Sequence, residues 1–338
     1  MRNSPVSSTR NNSIRLLASL GALTAALAVI SVCAGSVPVS LSDVLGALTG
    51  GGDGSAASRI VLYARLPRVC ACILAGAALA VAGAVTQSVL ANPLAAPSTI
   101  GVNSGAGLAA ALTCALAPSA QYLVPFAAFF GALAATALVM LIAKCTGASK
   151  ITLVLSGVAI SNILSAAVDA VVTFYPDALV AYSDFRIGSL ANLTLDRLAV
   201  PAVIIAVALA AAFTLANELD VLMLGSDMAV SLGLNASASR IIMLAVSAAL
   251  AGAAVSFAGL LGFIGLISPH IVRRFTGDEA RFLLPGSCLC GCSLLLLCDL
   301  VSRTLFAPYE LPVGIVLAFV GGPFFIWLLL RQRKGRTV

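Results

Sequence analysis

The chain has 338 residues, of which 60% are hydrophobic and 9% are charged, and its mean hydropathy is +1.08. About a quarter of the residues of a soluble globular domain are charged, so this composition excludes that class. Basic residues exceed acidic ones by 19 to 13, for a formal net charge of +6. The sequence therefore predicts a polytopic membrane protein with no nucleic-acid partner.

Apolar windows close to the length of about 20 residues that crosses a bilayer follow one another along the chain. We expect long spans at 16–39, 67–90, 94–116, 122–144, 151–175, 198–217, 240–259, 282–303 and 311–330, and a shorter one at 260–275. These runs lack two-residue alternation, which favours helices over a barrel. The first run is too long for a signal-peptide core. The predicted fold is all-α, with about ten transmembrane helices.

The basic residues indicate the orientation of the spans. With the amino terminus inside, ten spans also place the carboxyl terminus inside. The inner side then holds 13 of the 19 basic residues: Arg2, Arg10, Arg15, Lys144, Lys150, Arg240, Arg273, Arg274, Arg281, Arg331, Arg333, Lys334 and Arg336. This bias satisfies the positive-inside rule. Both termini are therefore expected to lie in the cytoplasm.

One internal repeat is visible. GAALAVAG at Gly76–Gly83 matches GAAVSFAG at Gly252–Gly259, and the same offset of 176 residues relates Pro93 to Pro269 and Gly101 to Gly277. The matched helices are the second and the seventh, five crossings apart, and an odd number of crossings inverts the copy. We therefore expect the second to fifth helices to repeat as the seventh to tenth, a design known in transporters.

The stretch NPLAAPSTIGVNSGAG, from Asn92 to Gly107, interrupts the apolar pattern. Pro93 and Pro97 remove backbone donors and disfavour helix in the residues before them, so the second helix should end near Asn92. Irregular backbone at membrane depth is tolerated only inside protein or beside water. Two interpretations stay open: a plain tight inner turn, or a turn that also borders a transport pathway.

The inner segment 217–235 is more polar than the spans and is predicted to form two short helices split at Gly225. Ser226 is the expected cap of the second helix, Asp227 lies in its first turn, and Gly233 ends it. The segment is also more apolar than a solvated linker requires, which indicates either a covering partner or a helix on the membrane surface. The apolar residues concerned are Leu222, Met223, Met228, Val230 and Leu232.

The nine cysteines and the single histidine do not suggest a metal or a catalytic site. Cys70 and Cys72, like Cys288, Cys290 and Cys292, are spaced by two residues, which places neighbours on different sides of a helix. An intramembrane enzyme would need paired acids or a nucleophile with a base, and His270 alone does not supply them. No cofactor and no catalytic residue is expected.

Several motifs occur together and in order. They are Arg65-Leu-Pro-Arg68, GAALAVAG, Asn92-Pro-Leu-Ala95, Gly101-Val, the 217–235 segment, GFIGLISPHIVR at Gly262–Arg273, and ELPVGIVLAFVGGPFF at Glu310–Phe325. From about residue 14 to 333 the chain resembles the FecCD family of ATP-binding-cassette (ABC) importer permeases, which carry iron–siderophores, haem or vitamin B12. Gly321-Gly322-Pro323 departs from the more common Gly-Ala-Pro.

The resemblance implies a domain plan and a set of partners. Residues 1–15 would be a cytoplasmic tail, 16–330 the permease domain with 217–235 as its cytoplasmic coupling loop, and 331–338 a basic cytoplasmic tail. The partners would be cytoplasmic ABC ATPase subunits, an extracytoplasmic substrate-binding protein, and a second permease copy or a paralogue. The cargo would be a metal chelate, for which we favour an iron–siderophore over haem or cobalamin.

The resemblance also implies three sets of site residues. Arg65, Arg68 and Arg303 lie outside, against the positive-inside rule, and would receive acidic side chains of the binding protein; lipid anchoring is the alternative. The inner turns at Asn92–Leu94 and at 147–150, with Ser149 and Lys150, would form the cytoplasmic gate. Coupling to the ATPase would involve Leu222, Met223, Gly225, Asp227, Met228 and Gly233.

The energy source distinguishes the two remaining transporter classes. The sequence contains no GxxxxGK[ST] motif, so the chain cannot bind ATP through a P-loop and would need separate ATPase subunits. A gradient-driven carrier is the rival class, but its spans usually hold ionisable groups that bind the coupling ion, and the only acidic residues in the spans here are Asp169 and Asp299. A role at a helix interface, or an (i,i+4) pair with Arg303, is enough to explain Asp299. Asp169 is open to two interpretations: an acid facing a water-filled pathway or one at the interface.

Overall fold

The computed structural model describes residues 5–35, 39–49, 55–146 and 150–334. The longer helices in these ranges are α1 (Pro5–Cys33), α2 (Leu41–Leu48), α3 (Ala56–Ile60), α4 (Leu66–Leu90), α5 (Val102–Leu116), α6 (Val124–Cys145), α7 (Lys150–Phe174), α8 (Ala178–Ile187), α9 (Leu195–Thr214), α10 (Ala216–Met223), α11 (Ser226–Ser231), α12 (Ala236–Ala258), α13 (Ile264–Thr276), α14 (Ala280–Thr304) and α15 (Val313–Lys334). A π-helical turn, Val61–Arg65, joins α3 to α4.

The all-α membrane fold is confirmed. Within the described residues, seven helices are long and apolar enough to cross a membrane: α1, α4 with its preceding turns, α6, α7, α9, α12 and α14. Helix α5 and the Val313–Leu328 part of α15 are shorter apolar segments. Together with α13, they match the ten predicted spans in number and order. Helices α2 and α8 lie in segments for which the sequence predicted no helix.

The third span begins later than residue 94. Ala96 is extended, Pro97 starts a single 3₁₀ turn, and Gly101 has φ +87°, a left-handed conformation that glycine adopts without steric cost. Helix α5 therefore begins only at Val102. The proline and the glycine that break the apolar pattern in the sequence are the cause of the shortened helix.

Helices α4 and α12 form the centre of the molecule, and almost every residue in the second half of each is buried. Small side chains make their close packing possible. Gly83 of α4 lies directly against the backbone of Gly265 in α13, and a Cβ atom on Gly265 would sit 2.7 Å from the carbonyl oxygen of Leu79. Thr86 of α4 also shares a 2.7 Å hydrogen bond with Ser247 of α12, which links the two central helices.

The packing of the two halves is reciprocal. Gly76 of α4 lies against α14, where an added Cβ would sit 2.8 Å from Cys292 Cα, and Gly252 of α12 faces Ala132 of α6 at 3.2 Å. Each central helix therefore packs on the third helix of the other half, as an inverted repeat requires. The offset of 176 residues does not extend to the proline pair, because Pro93 follows α4 whereas Pro269 lies inside α13. It does not extend to the glycine pair either, because Gly101 precedes α5 whereas Gly277 follows α13.

Candidate functional site

The predicted docking arginines meet at one end of the helix bundle, which we call the arginine end. Arg65 donates from Nη1 to the carbonyls of Val32 and Cys33 at 2.8 and 2.6 Å. Arg303 donates to the carbonyls of Ala34 and Ser31 at 3.2 and 3.1 Å. The last carbonyls of α1 have no partner within the helix, so these two guanidinium groups cap its carboxyl terminus.

A buried carboxylate ties the cluster together. Asp299 is fully buried, with Oδ1 at 2.7 Å from Arg68 Nε and Oδ2 at 3.0 Å from Arg303 Nε. The predicted (i,i+4) pair of Asp299 and Arg303 is thus confirmed. Arg68 reaches further outward and places Nη1 2.6 Å from Oε2 of Glu310, whose side chain is 37% exposed.

These arginines line a cavity of about 170 Å³ together with Gly35, Ile60, Ala64 and Glu310. The structure thus brings all three predicted docking residues to one opening, although Arg65 and Arg303 are almost fully buried. Sequence reasoning missed Glu310 as a member of this site. Its position two residues after a proline, in the connection between α14 and α15, gave no signal of a contact with α4.

The opposite end of α4, which we call the turn end, carries the predicted gate turn. Helix α4 stops at Ala91, which has φ +47°, and the amide of Asn92 donates to the Gln87 carbonyl at 3.0 Å. Together with the Ala91 amide on the Ser88 carbonyl, this bond forms a Schellman cap. Asn92 Oδ1 then accepts from the Leu94 amide at 2.9 Å, so the turn is closed by local bonds.

The second predicted gate segment is only partly described, because Ser149 lies outside the described residues. Lys150 starts α7 and lines a cavity of about 960 Å³ with Arg240 of α12 and Ser226 of α11. Arg240 donates from Nη2 to Ser226 Oγ at 3.0 Å. Asn92 and Leu94 are half-buried residues of a separate turn, and this cavity does not include them.

The 217–235 segment folds as two short helices, α10 and α11, separated by Gly225 as predicted. Gly225 has φ +103° and itself occupies the cap position of α11. The prediction that Ser226 caps α11 is therefore wrong, because Gly225 occupies the cap position, Ser226 is already the first helical residue, and its hydroxyl accepts a hydrogen bond from Arg240. Gly233 follows α11 with φ +82°, which fits its predicted role at the end of the helix.

The apolar residues of this segment divide between the interior and the surface. Leu222 is buried within the chain itself, with 3% exposure, and Met223 is half-buried. Four large apolar side chains are 55–63% exposed: Leu224, Met228, Val230 and Leu232. Asp227 is also exposed. The surface that a partner could cover is therefore on α11 and just before it, and Leu222 belongs to the core.

A cavity of about 390 Å³, with several hydroxyl and charged side chains in its lining, lies between α5, α7 and α8. Ser104 of α5 donates to Ser161 of α7 at 3.0 Å, and both hydroxyls line the cavity. Asp169 of α7 is exposed and lines it as well, with Tyr182 and Arg186 of α8 on the other side. Aliphatic spans do not need such a lining, so this face of the bundle is a candidate wall of a pathway for polar cargo.

Comparison with known proteins shows which family has this architecture. The FecCD transport family model matches residues 23–331. The iron(III)-citrate import permease YfmE of Bacillus subtilis is 38% identical over 311 residues, which cover 92% of this chain and 93% of that protein. The hemin transport permease HmuU of Yersinia pestis is 39% identical over 285 residues, covering 82% and 85%.

A solved structure has the same fold. It is described as a metal-chelate type ABC transporter in an inward-facing conformation, and it superposes with a TM-score of 0.85 at 27% identity, covering 94% of this chain and 99% of its own. The iron(III) dicitrate permease FecD of Escherichia coli is 37% identical over 280 residues, which cover 82% of this chain and 85% of FecD.

The fold and the spans define a multi-pass membrane protein of the ABC-importer permease class. The chain belongs to the FecCD transport family. Its members are permease subunits and are not themselves enzymes, since the ATPase is a separate subunit. The gradient-driven carrier considered from the sequence is therefore the wrong class.

Proposed function

We propose that this permease carries a ferric chelate, specifically an iron–siderophore complex, across the bacterial cytoplasmic membrane. The observation that carries the proposal is the set of relatives named above, which match nearly the whole chain and are named for iron(III)-citrate and hemin transport. The hydroxyl-lined cavity between α5, α7 and α8 supports an oxygen-rich cargo, because serine hydroxyls can bond to the oxygen atoms of a chelate.

The orientation in this proposal puts both termini in the cytoplasm. The arginine end then faces outward and the turn end, with Asn92 and α10–α11, faces the cytoplasm. The excess of basic residues on the turn side supports this orientation.

The binding protein would dock at the arginine end. The cavity there is open to a carboxylate from outside, and Arg68 is the guanidinium whose second partner, Glu310, is partly exposed. Guanidinium is always charged and forms bidentate bonds to carboxylates. Arg65 and Arg303 lie behind Arg68 and fix the walls of the pocket through the end of α1.

The ATPase subunits would cover the exposed apolar residues of α11, and a second permease copy or a paralogue would cover α7. Only 22% of the apolar window of α7 is buried within this chain, compared with 83% for α4. Helix α1 is less buried still, at 6%, but α7 is the one of these two spans that borders the cavity between α5, α7 and α8, so a second copy seated there would close the pathway from the other side. The turns at Asn92–Leu94 and at 147–150 would then form the cytoplasmic gate.

The cargo can be tested by growth. A strain from which this gene has been deleted should lose growth on a single ferric siderophore as the iron source and recover it when the chain is supplied on a plasmid. The same strain should grow normally on ferrous iron, which serves as the control. Recovery only on haem, or only on a cobamide in a cobamide-dependent background, would replace the iron–siderophore with the haem or cobalamin alternative.

A further inference from the structure

Arg273, near the end of α13, contacts three side chains on two other segments at the turn end. Its Nη1 donates to Gln87 Oε1 at 2.6 Å and its Nη2 donates to Ser88 Oγ at 3.0 Å. Its Nε lies 2.8 Å from Oδ1 of Asp278, in the turn between α13 and α14. The Arg273 side chain is only 16% exposed, so its two bonds to α4 are shielded from water, whereas the Asp278 side chain is 66% exposed.

The two acceptors on α4 are the residues that hold the gate turn. The backbone carbonyls of Gln87 and Ser88 accept the amides of Asn92 and Ala91 in the Schellman cap. Their side chains accept hydrogen bonds from Arg273, so one guanidinium group is bonded to the last turn of α4, immediately before Asn92. Gln87 also donates from Nε2 to the Gly265 carbonyl at 3.0 Å, which adds a second link from α4 to α13.

The other side of the cluster leads to the α10–α11 segment. Asp220 of α10 accepts the amide of Ala280, the first residue of α14, at 2.8 Å. Ala280 is two residues beyond Asp278, and Gly277 before them has φ +73°. A displacement of α10 would therefore pull on the start of α14 and move the short turn that holds the carboxylate of Asp278.

We infer that Arg273 is a positioning residue that transmits the movement of α10–α11 to the Asn92–Leu94 turn. The contacts run from Asp220 through the 277–280 turn and Arg273 to Gln87 and Ser88. A planar guanidinium suits this position because it holds three acceptors in a fixed geometry, which the single ammonium group of lysine does not do. The inference rests on the proposed roles of the loop and of the gate turn.

The fold does not depend on this residue alone. The packing of α13 on α4 is set by the backbone contact of Gly83 with Gly265, and the cap of α4 is closed by its own amides. Arg273→Gln should therefore leave the helices in place while it releases the guanidinium bonds and the ion pair.

The test uses the complete importer, with permease, ATPase and binding protein reconstituted in liposomes. Arg273→Gln should lower chelate uptake per ATP hydrolysed by about tenfold, within the range seen for residues that carry coupling between sites. Arg274→Gln removes the same charge from the neighbouring exposed position and should keep the wild-type ratio. An unchanged ratio in Arg273→Gln would overturn the inference.

A distance measurement separates coupling from folding. In a cysteine-free background, spin labels at position 94 of the two permease copies should change separation on ATP binding, and the change should be lost in Arg273→Gln. Ser88→Ala removes only one of the bonds to Arg273 and should reduce the ATP-dependent change in separation. This variant replaces Arg273→Gln in the test if Arg273→Gln assembles poorly. A full ATP-dependent change in Ser88→Ala and in any assembled Arg273→Gln would also overturn the inference. Failure of the wild-type complex to take up chelate would count against the proposed function instead.

Discussion

The arginines at the two ends of α4 have different kinds of bonding partners. At the arginine end, Arg65 and Arg303 are bonded to the terminal carbonyls of α1, and Arg303 also pairs with the fully buried carboxylate of Asp299. At the turn end, Arg273 bonds to side chains of α4 and to an exposed aspartate in a short turn. The first cluster joins helix termini that cannot separate without leaving buried charges unpaired, whereas the second joins a helix to a short turn.

The cost of burying charge explains the difference. A buried ion is expensive unless it is paired and hydrogen-bonded, so the cluster around Asp299 must be complete within the chain. Asp278 has a side chain that is 66% exposed, and water can replace its partner at little cost. We therefore expect the arginine end to determine stability and the turn end to determine how the subunit works with its partners.

The largest expected effect is at Asp299. Asp299→Asn would leave two buried guanidinium groups facing a neutral amide, and breaking a buried pair costs about 3–5 kcal/mol. The purified variant should show a clearly lower thermal unfolding midpoint than wild type. Asp177→Asn removes an exposed acid and should leave the midpoint unchanged. Equal midpoints for the two variants would show that the arginine cluster contributes little to stability.

Substitutions at the turn end should change association with the ATPase and leave the folding of the subunit unchanged. Met228 is 55% exposed in the subunit, so Met228→Asp costs little there but would bury an unpaired charge against the ATPase. We expect ATPase binding to weaken by about 2 kcal/mol, close to the cost of an unpaired polar group. Met228→Gln keeps the length without the charge and should weaken binding less. Normal co-purification of the ATPase with Met228→Asp would place the contact elsewhere.

The smallest effect tests whether the arginine end also receives a partner. Glu310→Gln removes the exposed acid beside Arg68 and leaves the bond to Asp299 intact. An acidic binding protein should then associate about two- to threefold faster at low salt, and the difference should disappear as salt is added. Asp184→Asn, an exposed acid on α8, is the control. An on-rate no faster than that of the control would argue against docking at Arg68.

Much of the fold could be predicted from the sequence because its signals are local. Apolar length located the spans, and Gly225 marked the break between α10 and α11, since both depend only on neighbouring residues. The start of α5 was predicted eight residues too early because an apolar run does not reveal a 3₁₀ turn. Helix α8 was missed because its ten residues are too short to give a span-length signal.

The partners of the arginines could not be predicted in the same way. Arg65 is bonded to carbonyls that lie more than thirty positions earlier, and Arg68 to a carboxylate 231 positions later. No pattern along the chain encodes such pairs. Only the (i,i+4) spacing of Asp299 and Arg303 was visible, because a helix brings those positions together by its own geometry.

The reciprocal packing of the halves has a consequence for synthesis. Helix α4 enters the membrane early, but the face around Gly76 meets its partner only when α14 has been made. In the same way, the face of α6 that packs on Gly252 has no partner until α12 has been made. Until then the small, uncharged faces of α4 and α6 lie against lipid, which accepts them without an unsatisfied polar group. Because translation runs from the first helix to the last, α4 and α6 become fixed in their final packing only after α14 and α12 have been made.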